Sequence, residues 1–166
     1  MNMAKFSQNL DKWLNDNYIG KPLYYKMHLL HDTGRCSTCQ GDLHQGLSML
    51  QQSLEIVQDK MSYDLHTLVL DHYNISYNLL IAGKVDDALD YINRAVVILD
   101  ENEVTMNFIS FHQQFVVDCK HKAISSSLLR HHYRFRRTLS SAFESFPDDD
   151  VTIQVVTLLD DMMWNV

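Results

Sequence analysis

The sequence has few of the residues that interrupt regular structure or cross-link small folds. Its 166 residues include five Gly, two Pro and three Cys. So few turn formers disfavour a sheet of many strands, and an odd number of cysteines is not a disulfide framework. No apolar run is long enough to cross a bilayer, and the segment MNMAKFSQNL lacks the apolar stretch of a secretory signal. We therefore expect a cytoplasmic protein without membrane spans.

The chain also lacks an excess of basic residues. It has 14 Lys and Arg against 21 Asp and Glu, a formal net charge of −7. This balance disfavours general affinity for nucleic acid or an anionic membrane surface. What the sequence does have is a helix-forming composition, because Leu, Met, Gln and Asp fill its long segments. Length and composition together predict one all-α domain over residues 1–166.

One apolar pattern occurs twice in the chain. The apolar positions of GKVDDALDYINRAVVILDEN have the 4-3-4-3 spacing of one helix face: Val85, Leu89, Ile92, Val96 and Leu99. Each position 42 residues earlier, from Leu43 to Val57, is also apolar. Gly83 corresponds in the same way to Gly41. Another helix is predicted before each copy, so the unit is helix, short glycine turn, helix, which buries its apolar face by stacking on its neighbours.

The second copy resembles a tetratricopeptide repeat over residues 69–102. The residues that match the small, large, turn and alanine positions of that family are Ser76, Leu79, Gly83, Ala88, Ile92 and Ala95. Two positions depart from the pattern, with His72 in place of the usual Trp and Asp100 in place of the closing Pro. The resemblance implies stacked antiparallel helical hairpins with a concave groove, in a protein that acts as an adaptor or a chaperone.

The remaining apolar spacing extends this architecture to about eight helices. They are an N-terminal helix over 3–17, hairpin pairs over about 22–58, 63–100 and 104–146, and a C-terminal helix over 150–164. In the last pair, His132, Phe135 and Leu139 are expected to face the core. The apolar C-terminal segment VVTLLDDMMWNV has two interpretations that the sequence leaves open: a capping helix on the last pair, or a surface that pairs two copies of the chain.

The first copy differs from the second by the segment RCSTCQ between Gly34 and Gly41, which we interpret as an insertion in the turn. The form Cys-x-x-Cys-x-Gly is that of a zinc knuckle, and a tetrahedral site needs two further ligands. The four candidate ligands are Cys36, Cys39, His31 and His44. The alternatives are a redox-active or disulfide pair, and a surface loop without chemistry.

The segment RHHYRFRR, residues 130–137, concentrates positive charge. Its arginines suit phosphate contacts and Tyr133 suits base stacking, so it is a candidate for nucleic-acid binding. The basic residues are Arg130, Arg134, Arg136 and Arg137. The alternative is that these arginines are solvated or pair with the six acidic residues of segment 138–166, which has no basic ones.

No nucleophile motif and no phosphate-binding glycine loop is present, so we do not expect an enzyme. The leading hypothesis is a non-catalytic module, an adaptor or chaperone, that binds a partner peptide or helix in the groove. The candidate groove residues are Tyr24, His28, Tyr73, Asn74, Tyr77 and Asn78. The alternative is a regulator that contacts nucleic acid or the transcription machinery through residues 130–137, with a zinc-stabilised loop.

Overall fold

The computed structural model of the chain describes residue 12 and residues 22–60, 64–122 and 124–145, with side chains as far as residue 135. These residues form six helices and no strand: α1 Pro22–Gln40, α2 Leu43–Lys60, α3 Leu65–Ile81, α4 Val85–Glu101, α5 Asn107–Lys120 and α6 Ser126–Ser145. The prediction of an all-α fold is confirmed for this part of the chain. Apart from residue 12, the predicted helices over 3–17 and 150–164 lie outside it.

Helices α1 and α2, and likewise α3 and α4, form hairpins that are closed by the same turn. The turn glycines Gly41 and Gly83 have φ values of 91° and 78°, in the left-handed region that favours glycine. In both turns the glycine N–H donates to the carbonyl three residues back, and the next N–H donates to the carbonyl five residues back. This is the Schellman arrangement, which satisfies the last carbonyls of a helix. The repeated sequence pattern therefore has the same local structure at both turns.

The first hairpin contains no inserted loop, which corrects our interpretation of residues 34–41. Helix α1 continues without a break from Pro22 to Gln40, so Cys36 and Cys39 are helical. A glycine before a polar stretch is typical of a turn. Gly34 instead lies inside the helix, where it allows a second helix to come close.

That close approach occurs at the crossing of α1 and α2. A Cβ added to Gly34 would lie 2.8 Å from Leu50 Cγ and 3.1 Å from the carbonyl oxygen of Gly46, so a side chain does not fit. The corresponding crossing of α3 and α4 uses Ser76, 42 residues after Gly34, and its hydroxyl donates to the carbonyl of Ala88 at 2.8 Å. Small residues therefore lie at the same two positions of both hairpins: Gly34 and Gly46 in the first, Ser76 and Ala88 in the second.

Helix α3 lies at the centre of the core and contacts every other helix of the described part. The sequence predicted one apolar face for it, but 14 of its 17 residues are buried. The polar side chains within the buried stretch are all hydrogen-bonded: Asp71, His72, Asn74, Ser76 and Asn78. Because buried polar groups that have partners avoid the cost of lost hydration, α3 tolerates burial on all sides.

A buried polar network joins the first hairpin to α3. His31 Nδ1 on α1 lies 2.6 Å from Asp71 Oδ1, and Ser53 on α2 donates to Asp71 Oδ2 at 2.8 Å. The carboxylate is fully buried. Since Ser53 and His31 both bond to Asp71, this one side chain holds three helices together. The role of Asp71 in these contacts is therefore structural.

Helix α6 contacts the first helix of each of the two hairpins. Over the residues whose side chains are described, it packs across α3 and the end of α1, while α5 packs on α4. The pairing of the two helices over 104–146 stays a prediction, and within the described side chains α5 and α6 meet where His132 stacks on Phe115. Among residues 126–135 of α6, Leu129, His132 and Tyr133 are buried. Phe135, which we expected in the core, is 46% exposed.

Candidate functional site

The six candidate groove residues fall into two sets. Tyr24 on α1 is 38% exposed, and its ring lies 4.3 Å from that of the half-buried His28. The other four are at most 4% exposed: Tyr73, Asn74, Tyr77 and Asn78. They lie on α3 beneath neighbouring helices, so a partner does not reach them while α6 stays in place.

Helix α6 covers the inner face of α3 through directional contacts. Tyr77 Oη is hydrogen-bonded to His132 Nδ1 at 2.9 Å, and Tyr133 Oη donates to Asn74 Oδ1 at 2.6 Å. The rings of Tyr77 and Tyr133 lie 4.7 Å apart, and His132 stacks on Phe115 of α5 at 4.4 Å. Ring packing combined with hydrogen bonds makes this contact specific for the side chains involved.

The basic side chains of α6 contact the carboxyl end of α1. Arg134 donates to the carbonyl oxygen of Cys39, and the Arg130 guanidinium occupies the space that a side chain at Gly41 would fill. The last carbonyls of a helix and its dipole favour cations at this end. Two of the four arginines proposed for nucleic acid are therefore used within the fold, and the side chains of Arg136 and Arg137 lie outside the described residues.

Asn78 ties the turn of the first hairpin to α3. Its Nδ2 donates to Thr38 Oγ1 at 2.9 Å and to the carbonyl oxygen of Leu43 at 3.0 Å. Thr38 lies in the last turn of α1 and Leu43 begins α2, so one amide holds both sides of the turn. Asn78, predicted to bind a partner, thus has a place in the core.

The four candidate zinc ligands do not converge on one point. Cys36 is exposed and Cys39 half-buried on one turn of α1, and His44 is exposed at the start of α2. His31 is bonded to Asp71. Within the described part of the chain, no group of three or more His, Cys, Asp or Glu side chains is placed to hold a metal ion. Metal analysis of protein purified without chelator tests the zinc hypothesis directly.

A second concave feature is a shallow pocket of about 340 Å³ between α2, α3 and α4. His72 lies in its wall beside Asp90 and Arg94, which form a 2.6 Å ion pair. Burial lowers the pKa of His72, outweighing its hydrogen bond to the carbonyl of Leu68 and the nearby charge of Asp71, both of which raise it. The imidazole is therefore neutral at pH 7 and donates from Nδ1 to Leu68 at 2.8 Å.

Sequence reasoning placed four candidate residues on α3 and did not predict that α6 covers them. Leu129 and Tyr133 are four residues apart and therefore share one helix face. The same segment also fits a face through His132, Phe135 and Leu139, which is the face that we predicted to be buried. Two overlapping apolar faces on one helix cannot be separated by periodicity, and only contact with α3 selects between them.

Comparisons with protein-family models, with curated proteins and with solved structures returned no match. Among the described residues no helix is both long and apolar enough to span a bilayer. The fold of this part of the chain is that of an all-α protein built on two helical hairpins.

Proposed function

We propose that the chain is a non-catalytic protein-interaction module that binds a helix of a partner protein on the inner face of its two hairpins. The observation that carries the proposal is that this face already holds a helix, α6. Its hydrogen bonds from His132 and Tyr133 reach Tyr77 and Asn74 on α3. A face lined by rings and oriented polar groups suits recognition of an amphipathic helix.

In this proposal α6 is the resident occupant and the partner competes with it. The partner binds only those molecules in which the groove is open. Its apparent association constant is therefore the intrinsic one multiplied by the fraction of open molecules. Such a protein holds its partner only when the partner's contacts exceed those of α6. The resemblance of residues 69–102 to a tetratricopeptide repeat supports an adaptor or chaperone role for a surface of this kind.

The alternative, contact with nucleic acid through residues 130–137, has less support. Arg130 and Arg134 lie against the end of α1, where their charges are partly used. The alternative therefore depends on Arg136 and Arg137. It requires retention of the protein on DNA or RNA that falls steeply with salt and is lost when both are changed to Gln.

Site-specific photocrosslinking in the source cells tests the proposal. Azidophenylalanine in place of Tyr77 puts a reactive ring in the groove, and the matched control replaces Val97, which is 52% exposed on α4. We expect position 77 to form a crosslink to another protein, and we expect no such crosslink from position 97. Crosslinks from position 77 that reach only α6 of the same chain would count against a partner-binding groove.

A further inference from the structure

We infer that the partner's helix is basic and presents the register Arg-x-x-Tyr-Arg, the arrangement by which Arg130, Tyr133 and Arg134 of α6 meet the groove. This rests on the proposed function, because it takes α6 as a template for the competing helix. Three features of the groove, an oriented acceptor, an aromatic slot and a cation site, lead to this register.

The first feature is an acceptor that points into the groove. Asn74 Nδ2 donates to the carbonyl of Leu70 at 2.7 Å, which fixes the amide so that Oδ1 faces α6. Tyr133 Oη supplies its hydrogen at 2.6 Å. A buried acceptor without a donor costs free energy, so a competing helix needs a hydroxyl at this place. Tyrosine is the residue that reaches it with a ring long enough to cross the slot.

The second feature is the slot itself, which is lined by rings. Tyr77 lies 4.7 Å from the Tyr133 ring and stacks on His112 of α5 at 3.9 Å. Tyr133 is completely buried there. An aromatic side chain retains this packing, whereas an aliphatic one loses the ring contacts and leaves the Asn74 acceptor without a donor.

The third feature is a cation site at the end of α1. Arg134 donates to the carbonyl oxygen of Cys39, and Arg130, one turn earlier, covers Gly41. Gly41 has φ 91° and no side chain, so the guanidinium rests directly on the turn. Two cations four residues apart on the incoming helix therefore match two places at the carboxyl end of α1.

The charge of the rest of the chain favours the same choice. Helix α6 contains four of the 14 basic residues and one of the 21 acidic ones. The remainder therefore has ten basic and 20 acidic residues. An acidic body attracts a basic helix over distances longer than a contact and speeds its association. A partner helix rich in Asp or Glu meets repulsion from the same field.

Peptide binding to the full chain tests the inference. The probe is a fluorescein-labelled peptide of residues 126–145, measured by fluorescence anisotropy against wild type and against the double variant Leu129→Ala, Tyr133→Ala, which loosens α6 and leaves the groove intact. We expect the peptide to bind the variant about tenfold or more tightly than wild type. The same peptide with Arg130→Glu and Arg134→Glu should bind about tenfold or more weakly. A peptide with Tyr133→Leu should also bind more weakly.

The outcomes separate this inference from the proposed function. If the charge-reversed peptide binds as well as the native one, the basic register is wrong, and helix binding by the groove stands. If no peptide binds a folded variant, both are overturned. Should the double variant fail to fold by circular dichroism, Arg134→Ala, an exposed position, replaces it with the same expectations. Wild type could also form a dimer that dissociates when the peptide is added. That result would overturn the inference of an external partner and show that two copies of the chain exchange α6.

Discussion

Helices α1 and α3 hold equivalent places in the two hairpins but have opposite surroundings. At positions 42 residues apart, the apolar Leu29 of α1 is 41% exposed, whereas the acidic Asp71 of α3 is completely buried. Asp32 and Cys36 are exposed, whereas their counterparts Asn74 and Asn78 are 2% and 1% exposed. The turn and the small residues set the hairpin in both cases. The burial of the first helix of each hairpin depends instead on which other helices cover it, and on whether those helices supply hydrogen-bond partners.

The largest effect should come from removing the buried carboxylate. Asp71→Ala removes the acceptor of His31 Nδ1 and the nearer of two acceptors of Ser53 Oγ, whose other contact is the carbonyl oxygen of Met27 at 3.2 Å. We expect the free energy of unfolding to fall by about 3 kcal/mol or more, because His31 Nδ1 stays buried without its acceptor and the side-chain connection between three helices is lost. Leu29→Ala, at the equivalent place in α1, should cost less than about 1 kcal/mol. Urea denaturation measures both. If both variants lost the same free energy of unfolding, the difference in burial between Asp71 and Leu29 would not contribute to stability.

The next effect concerns the crossing of α1 and α2. Gly34→Ala places a Cβ 3.1 Å from the backbone nitrogen of Leu50 and from the carbonyl oxygen of Gly46, neither of which is free to move alone. Overpacking of this kind should cost about 2 kcal/mol. Ser76→Ala, the equivalent change in α3, loses a hydrogen bond and should cost about 1 kcal/mol. If Gly34→Ala were stabilising, as it is at an open helical site, the tight crossing would be disproved.

A smaller effect should follow from loosening α6 over α3. Tyr133→Phe keeps the ring but removes the donor to Asn74 Oδ1, which should cost about 1–2 kcal/mol. The matched control is Tyr24→Phe on α1, where the ring is 38% exposed and the change should be within about 0.5 kcal/mol. Faster hydrogen exchange at α6 amides in the first variant alone would tie the loss to this contact. Uniform exchange in both would contradict it.

The smallest effect is a dependence of stability on pH that comes from His72 in the second hairpin. Burial lowers the pKa of His72 below 6.5, so the unfolded chain takes up a proton there before the folded one does. The stability from this group is present above pH 6.5 and is lost as pH falls towards the lowered value. Between pH 7 and pH 6 the loss should be at most about 0.7 kcal/mol.

The residue equivalent to His72 in the first hairpin is Leu30, which is also buried. His72→Leu therefore makes the second hairpin resemble the first, and it should remove this part of the pH dependence. Urea denaturation of both proteins at pH 7 and pH 6 measures the difference. An unchanged slope in the variant would assign the effect to other groups.

The two hairpins show how far sequence reasoning reaches in this chain. The 42-residue correspondence between Gly41 and Gly83 predicted both turns, since a left-handed glycine after an apolar periodic segment is a local signal. Gly34 was misassigned because a glycine that admits a neighbouring helix looks the same in sequence as one that turns the chain. The insertion and the zinc knuckle placed in it depended on that assignment.

The candidate site was predicted only in part. Tyr77 and Asn74 were predicted to line the groove of a helical-repeat protein, and α6 covers both of them. Their partners His132 and Tyr133 lie 55 and 59 residues later in the chain, and no spacing rule connects residues so distant. The arginines of residues 130–137 were recognised as a cluster. Their place against the end of α1 follows from where α6 lies.

By itself the sequence determined that the described part of the chain folds as helices and that two pairs of them turn back at Gly41 and Gly83. Helical period and left-handed turns depend on neighbours a few residues apart, so local order encodes them. Only the tertiary structure decided that α6 covers α3 and that Asp71 is buried while Leu29 is exposed. Those outcomes depend on which distant groups meet, and a polar residue becomes a core residue only where its hydrogen bonds are completed.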